Sequence, residues 1–322
     1  MSDLALAAKR RQQSRLNLLL NLTLLGLLVL LWFALSVSTR TFLTERNITN
    51  LMRQASLWAI IAVGQTFVII TAGIDLSVGA VVGFSGVVVA LLLRAEVPIF
   101  LSIILTLGCG ALIGMFHAFG VIKLGLPPFI MTLATLTALS GIGLLITNGG
   151  SISGLPDAFT NFSLDQFAGV PALFWMVILV AIPAYIFLQH TRWGRYLFAI
   201  GSNAEAARLT GVNVHRMLYV AYTLSAVLAS FAGILTTSRI GIGNATTGQG
   251  WELQSIASSV IGGTSLFGAI GSIQGPLLGS FLLTTIANGA NLLNVNAFWQ
   301  RIITGGLIIL VVYFDQLRRR RR

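Results

Sequence analysis

The sequence predicts an all-α, polytopic membrane protein of about ten transmembrane helices with both termini cytoplasmic, and three observations carry that fold class. Apolar side chains make up 56% of the 322 residues against 9% Asp, Glu, Lys and Arg, far from the roughly 45–50% and 25% of soluble domains, and the mean hydropathy is +0.88. The sparse charges leave uncharged stretches at 16–39, 54–74, 76–93, 97–122, 124–156, 166–191, 217–238, 253–300 and 302–314. A helix needs about 20 apolar residues to cross a hydrocarbon core of roughly 30 Å, which sets the count. The third observation is that Lys and Arg concentrate on one face once those spans are drawn.

The first span is placed near 17–37, behind Lys9, Arg10, Arg11 and Arg15. Its apolar run is longer than the 7–15 residues of a signal-peptide core, so it reads as a retained helix. Further spans follow near 54–72, 76–93, 98–119, 127–147, 169–189 and 217–237. The long stretch 253–300 must hold two, near 253–267 and 276–294, broken by the glycines of 267–275 and by Pro276. The tenth lies near 299–315. This leaves a cytoplasmic tail at 1–15, a single transmembrane domain at 16–315 with an inner loop at 190–216, and a basic tail at 316–322. With the termini inside, the inner segments hold 14 of the 20 basic residues: Lys9, Arg10, Arg11, Arg15, Lys123, Arg192, Arg195, Arg208, Arg216 and Arg318 to Arg322. The acids split nearly evenly, as the positive-inside rule allows.

Composition also excludes several chemistries. The formal charge of +11 sits between apolar spans and at the C-terminus, which reports orientation rather than nucleic-acid binding. Cys109 is the single cysteine and His117, His190 and His215 are scattered, so there is no disulfide, no thiolate metal site and no visible metal set. His117 reads as a packed helix residue. Lys9 and Lys123 are the only lysines, and Lys123 precedes Leu124, so no phosphate-binding Walker loop exists and no cofactor is implied.

Glycine is the second pattern. Gly79 and Gly83, Gly110 and Gly114, and Gly271, Gly275 and Gly279 repeat at four-residue spacing, which lets backbones approach closely. The segments 62–79 and 258–271 echo one another faintly, each a span followed by a glycine-rich turn and another span, as in transporters built from repeats.

Three polar features stand out. In the inner loop, Ser202-Asn-Ala-Glu205 matches a capping box, helix formers follow, and Gly211 supplies a stop, so an eight-residue helix of roughly 12 Å is expected outside the membrane. So short a helix is marginal alone in water, and a partner should dock on it. Asp75 lies between two apolar spans, where a carboxylate at the bilayer centre costs roughly 2.5–3.5 kcal/mol. It is expected to accept hydrogen bonds from the amides of a helix beginning near Leu76, with a gating or pathway role as the alternative. Glu45, Glu96, Asp157, Asp165 and Glu252 fall on the outer face, either simply solvated or docking a soluble partner.

Several motifs in order carry a resemblance. Gly73-Ile-Asp-Leu-Ser-Val-Gly79, Thr191-Arg-Trp-Gly-Arg-Tyr-Leu-Phe-Ala-Ile-Gly201-Ser-Asn203 continuing into Ala206-Ala-Arg-Leu-Thr-Gly-Val-Asn-Val214, Glu252-Leu with Ile256-Ala and Ile261-Gly-Gly-Thr-Ser-Leu266, and Asn288-Gly-x-Asn-Leu-Leu293 resemble the permease subunits of bacterial monosaccharide ABC importers of the ribose/xylose/galactose type. The resemblance spans about Phe42 to Val312. It implies a permease homodimer in the bacterial inner membrane, a cytoplasmic ABC ATPase, a periplasmic sugar-binding protein, and a coupling helix built on Gly201, Asn203, Glu205, Ala206, Ala207, Arg208 and Gly211. The chain departs from the family pattern at Gln254, where an acid is common, at Ser140, where an arginine is common, and at Gly268-Ala-Ile-Gly271.

The function expected is therefore translocation of a monosaccharide by a subunit that performs no covalent chemistry and has no catalytic residue. Candidates for the pathway or its gate are Gly73, Asp75, Ser77, Gly79, Asn288 and Asn291, with Gln65 a weaker one. The alternative is an ion-coupled secondary transporter, disfavoured because Asp75 is the only acid closely flanked by two spans. No paired-carboxylate or His/Asp cluster supports an enzyme.

Overall fold

The computed structural model describes residues 3–320; Met1, Ser2 and two arginines of the basic tail, Arg321 and Arg322, lie outside the described residues. The elements run α1 (Asp3–Ser38), α2 (Glu45–Ile70), α3 (Val78–Arg94), α4 (Ile99–Lys123), α5 (Pro128–Thr147), β1 (Ser151–Ile152), α6 (Asp157–Asn161), β2 (Gln166–Phe167), β3 (Val170–Pro171), α7 (Ala172–His190), α8 (Arg192–Ser202), α9 (Ala204–Leu209), α10 (Val214–Ile240), β4 (Gly243–Asn244), α11 (Trp251–Ile261), α12 (Gln274–Leu292) and α13 (Ala297–Arg320). The strands form two antiparallel two-residue ribbons, β1 with β4 and β2 with β3. The protein is a helical membrane protein. Among the described residues six helices are long and apolar enough to cross a membrane: α1 from Asn21, α2, α4, α5, α7 and α10.

Ten helices coincide in position with the ten expected segments, but several boundaries differ. Helix α1 is continuous from Asp3, so residues 3–15 are helical and run on into the segment of the first expected span. Helix α2 begins at Glu45, nine residues before the expected 54, because the Thr44 side chain accepts the Asn47 N–H as an N-cap. Arg46 and Arg53 within its first turns hid that start. Helix α11 has only 11 residues against the expected 253–267, and the break occupies 262–273. Pro276 lies inside α12 and does not end the break, since a proline in the first turn removes an N–H that has no intrahelical partner.

Helix α2 sits at the centre. Its apolar window is 89% buried, enclosed by α7, α10, α11 and α12. Helix α10 packs along α2, α3 and α4. By contrast α4, α5 and α7 expose Phe100, Leu112, Leu145 and Leu179, an arrangement suited to acyl chains rather than water.

The glycine pattern resolves into three kinds of contact. A Cβ on Gly114 would lie 2.5 Å from the Tyr222 carbonyl oxygen and one on Gly110 2.6 Å from Ser230 Cβ, so α4 and α10 touch backbone to backbone. Gly275 and Gly279 bring α12 against Gly262 and Ser258 at the α11 side. Gly79 and Gly83 lie against the loop before α11 and its first turn: their face abuts the backbone of the 245–248 segment and the Glu252 carboxylate.

Candidate functional site

The candidate residues fall in three places. The first is the segment 190–216. It holds two helices where one was expected. Helix α8 starts at the Thr191 N-cap, whose hydroxyl accepts the Gly194 N–H at 3.2 Å, and buries Gly194, Leu197 and Ile200 while Arg192 and Arg195 stay exposed. Helix α9 follows after a single residue. Its N-cap is Asn203, whose Oδ1 accepts the Ala206 N–H at 2.9 Å, and not the expected Ser202, which ends α8. The helix therefore has six residues rather than eight, about 9 Å long.

Both ends of α9 are fixed. Gly211 adopts φ +86°, its N–H donates to the Arg208 carbonyl at 3.0 Å and the Val212 N–H to Ala207 at 3.1 Å, which is the double bond pattern of a Schellman cap. Ala207 and Val212 bury into one apolar cluster with Leu197, Ile200, Phe67, Ile70, Met217 and Ile273. Ala207 is thus the inward anchor of the helix. The outward face carries Ala206, Glu205, Arg208 and Leu209, the last 74% exposed. Arg208 clasps Glu205 through Nε at 3.0 Å and Nη2 at 2.6 Å. That hydrogen bond, and then the guanidinium charge, hold the Glu205 carboxyl below the usual carboxylate range. A pair so exposed orders the face more than it stabilises the fold.

The second place is the turn between α2 and α3. Helix α2 ends with Ala72 at φ +62° and the Gly73 N–H on the Val68 carbonyl at 3.1 Å. Gly73 is required there because a Cβ would lie 2.6 Å from Tyr222 Oη. Asp75 is fully buried. Its Oδ1 accepts the Ser77 N–H at 3.0 Å and the Ser77 hydroxyl at 2.6 Å, and its Oδ2 accepts the Ser225 hydroxyl at 2.8 Å. Helix α3 begins at Val78 and not near Leu76, so the carboxylate caps the residue ahead of the helix in an Asx-type turn. Gln65, with its amide oriented to satisfy both groups, donates to the Asp75 carbonyl at 3.1 Å and accepts the Asp75 N–H at 3.3 Å. Thr132 of α5 donates to the Ile74 carbonyl and accepts the Leu76 N–H, each at 3.1 Å. The turn is thereby fastened to α2, α5 and α10 at once. His117 and Tyr222 are buried beside it, their rings edge to face at 6.4 Å.

The third place is remote. Asn288 exchanges reciprocal hydrogen bonds with Asn47, at 2.8 and 3.1 Å, and Asn291 is exposed and accepts from Gln300 at 2.8 Å. Asn47 begins α2 and Ile70 ends it, so these asparagines lie about 35 Å along the bundle from the Asp75 turn. Gly79 faces Gly248 and Glu252. The six pathway candidates therefore do not form one constellation: Gly73, Asp75 and Ser77 share a site, Gly79 follows it in the first turn of α3 with its face toward Gly248 and Glu252, and Asn288 and Asn291 stand apart. Reading the sequence missed Ser225, Thr132 and Tyr222, which nothing in local pattern marks, whereas His117, expected as a packed helix residue, is buried in α4 against Tyr222. Among the described residues no group of three His, Cys, Asp or Glu could hold a metal.

Comparison with known proteins agrees in extent with these elements. The ribose import permease protein RbsC of Escherichia coli K12 is 38% identical over 310 residues, covering 95% of this chain and 96% of that protein. The D-allose transport system permease protein AlsC of the same organism is 38% identical over 288 residues, covering 88% and 87%. The xylose transport system permease protein XylH is 31% identical, covering 95% and 94%. No solved structure matches. The profile of the family described as branched-chain amino acid transport system / permease component matches residues 47–312, from the first turn of α2 into α13. By that span, and by relatives matched along nearly their whole length, the chain belongs to this family of membrane transport permease components.

Proposed function

We propose that the chain is the membrane-spanning subunit of a binding-protein-dependent ABC importer that carries a monosaccharide, a pentose or related sugar, into the cytoplasm of a bacterium, with ATP hydrolysed by a separate partner. The relatives named for ribose, allose and xylose supply the solute class. The observation that carries the energy coupling is α9, capped at both ends, seated on the apolar cluster that includes the end of α2, and presenting Glu205, Ala206, Arg208 and Leu209 outward. A six-residue helix fixed in this way, with Leu209 left uncovered, fits a cleft on a cytoplasmic ATPase.

In this reading Asn203, Ala207 and Gly211 hold the contact helix while its outer face meets the ATPase. The ten helices α1, α2, α3, α4, α5, α7, α10, α11, α12 and α13 are the membrane spans, both termini are cytoplasmic, and the subunit works as a pair of identical copies embedded in lipid, with a periplasmic sugar-binding protein on the opposite face. The Asp75 turn acts as a gate held shut by Ser77, Ser225 and Gln65, Gly79 acts just beyond it at the start of α3, and Asn288 and Asn291 act elsewhere along the bundle. ATP-driven displacement of α9 would alternate the pair between outward- and inward-open states. A second reading, an ion-coupled secondary transporter, draws on one observation: a fully buried carboxylate flanked by His117 and Tyr222.

Both are tested by reconstituting the chain with its ATPase and binding protein and measuring uptake of labelled ribose, allose, xylose and leucine with and without internal ATP. ATP-dependent uptake of a sugar supports the importer. Uptake by the isolated chain, driven by an ion gradient and indifferent to ATP, defeats it, and leucine uptake alone defeats the sugar assignment.

A further inference from the structure

Gly201, expected as part of the coupling segment, turns inward. It lies in α8, where glycine costs up to about 1 kcal/mol relative to alanine, so a close approach must require it. A Cβ there would overlap the Ile70 carbonyl oxygen and come within 2.6 Å of the Ala269 nitrogen. Ile70 is the last residue of α2, and its carbonyl has no intrahelical donor. The Ala269 N–H fills that role at 2.9 Å. Gly268, at φ +83°, completes the contact, since a Cβ on it would sit 2.7 Å from the Gly201 carbonyl and 3.0 Å from Ala72 Cβ. The turn that carries Gly268 and Ala269 is itself tied to α13, because Asp315 Oδ2 accepts the Ser265 hydroxyl and the Leu266 N–H, both at 3.1 Å.

Three chain segments distant in sequence therefore meet with main chain against main chain, and no flexible side chain lies between them to absorb a shift. Around that point the side chains of Leu197 and Ile200 from α8, Ala207 and Val212 from the α9 segment, Phe67 and Ile70 from α2 and Ile273 form one cluster. Close-packed interiors of this kind pass displacement on instead of damping it.

We propose that the contact of Gly201 with Ile70 and Ala269 is the joint through which movement of α8 and α9 reaches the central helix α2 and the 262–273 turn, with Gly201 and Gly268 as positioning residues. This rests on the importer reading above. It also separates two roles within the segment 190–216: the outer face of α9 receives the motion, and the glycine of α8 delivers it.

The test uses the full complex with ATPase and binding protein, reading sugar transported per ATP hydrolysed. Gly201→Ala is expected to keep ATPase association and hydrolysis while transport per ATP falls at least tenfold. Gly233→Ala, which forces a severe overlap with the Val82 carbonyl, 2.5 Å away between α10 and α3, is expected to lower thermal stability and leave that ratio unchanged. An unchanged ratio in Gly201→Ala, or the same fall in Gly233→Ala, overturns the joint. If Gly201→Ala does not fold, hydrogen exchange on the unaltered complex decides. A non-hydrolysable ATP analogue should change exchange in 204–212, 66–73 and 262–273 together, and a change confined to 204–212 overturns the proposal. Wild-type uptake indifferent to ATP would defeat the importer reading and the joint with it, whereas ATP-driven uptake with an unaltered ratio in Gly201→Ala defeats the joint alone.

Discussion

Replacing Ser225 with alanine isolates one strut of the Asp75 turn. The substitution removes a hydroxyl and leaves the α10 backbone and its contact with α4 in place. The lost hydrogen bond, 2.8 Å from Ser225 Oγ to Asp75 Oδ2, is wholly buried and ends on a group that accepts from all its described donors. Hydrogen bonds to charged groups contribute about 1.5–3 kcal/mol, and a buried acceptor stripped of its donor loses its compensation for desolvation. A fall of about 2 kcal/mol follows, close to a thirtyfold shift in the folding equilibrium at about 1.4 kcal/mol per decade. Asp75→Asn tests the partner. The amide oxygen can keep the Ser77 N–H while the amide nitrogen donates to Ser225, whose hydroxyl rotates to accept. Serine at 225 should then matter less, by about 1 kcal/mol, when asparagine stands at 75. Reversible unfolding in mixed micelles, followed by circular dichroism for the wild type, both single variants and the double variant, measures this. A loss under about 0.5 kcal/mol for Ser225→Ala, or strict additivity in the cycle, would refute the idea that Asp75 and Ser225 bind the turn to α10.

Three further outcomes are expected. Gly114→Ala drives a methyl group into the backbone of Tyr222 and Thr223 and should cost about 1–3 kcal/mol in the same assay, whereas Gly108→Ala, with open space around it, should be neutral or stabilise by up to about 1 kcal/mol. Asn203→Ala removes the α9 cap and should lower local stability by about 1 kcal/mol, read as faster amide exchange at Ala206 and Ala207. Leu209→Ser should leave unfolding unchanged because the side chain is 74% exposed, yet weaken ATPase association about tenfold or more if its burial in the complex supplies about 1.5–3 kcal/mol; unaltered affinity by pull-down titration would remove Leu209 from the contact.

Long-range consequences of the fold account for what the sequence concealed. The membrane class and the approximate helix positions follow from charge spacing alone, because each uncharged stretch must satisfy its own backbone within lipid. The start of α2 escaped that logic, since its first turns carry Glu45, Arg46 and Arg53 and the decisive signal was the single Thr44 cap. The α9 segment was legible in outline because its stop at Gly211 is local, but Ser202 and Asn203 compete for the same capping role, and only the chain path of α8 decides between them. Asp75 announced itself by its isolation. Its partners did not: Ser225 lies 150 positions away and Thr132 more than 50, and nothing in a serine or threonine on an apolar helix tells which neighbour it will meet.

The burial of α2 bears on how the chain enters the membrane during synthesis. It is the least apolar of the six described helices long and apolar enough to cross a membrane, with Ser56, Gln65 and Thr66 fully enclosed by protein, and its packing partner α10 is translated some 150 residues later. Until it arrives, this surface would face lipid: Ser56 and Thr66 can donate to the Met52 and Ala62 carbonyls of their own helix, but the Gln65 amide, whose partner is the Asp75 backbone beyond the helix end, would be exposed where an unsatisfied polar group costs several kcal/mol. A nascent chain cut short before Val214 should therefore hold α2 at the insertion machinery or leave it uninserted, so that the last third of the protein is needed to settle the second helix.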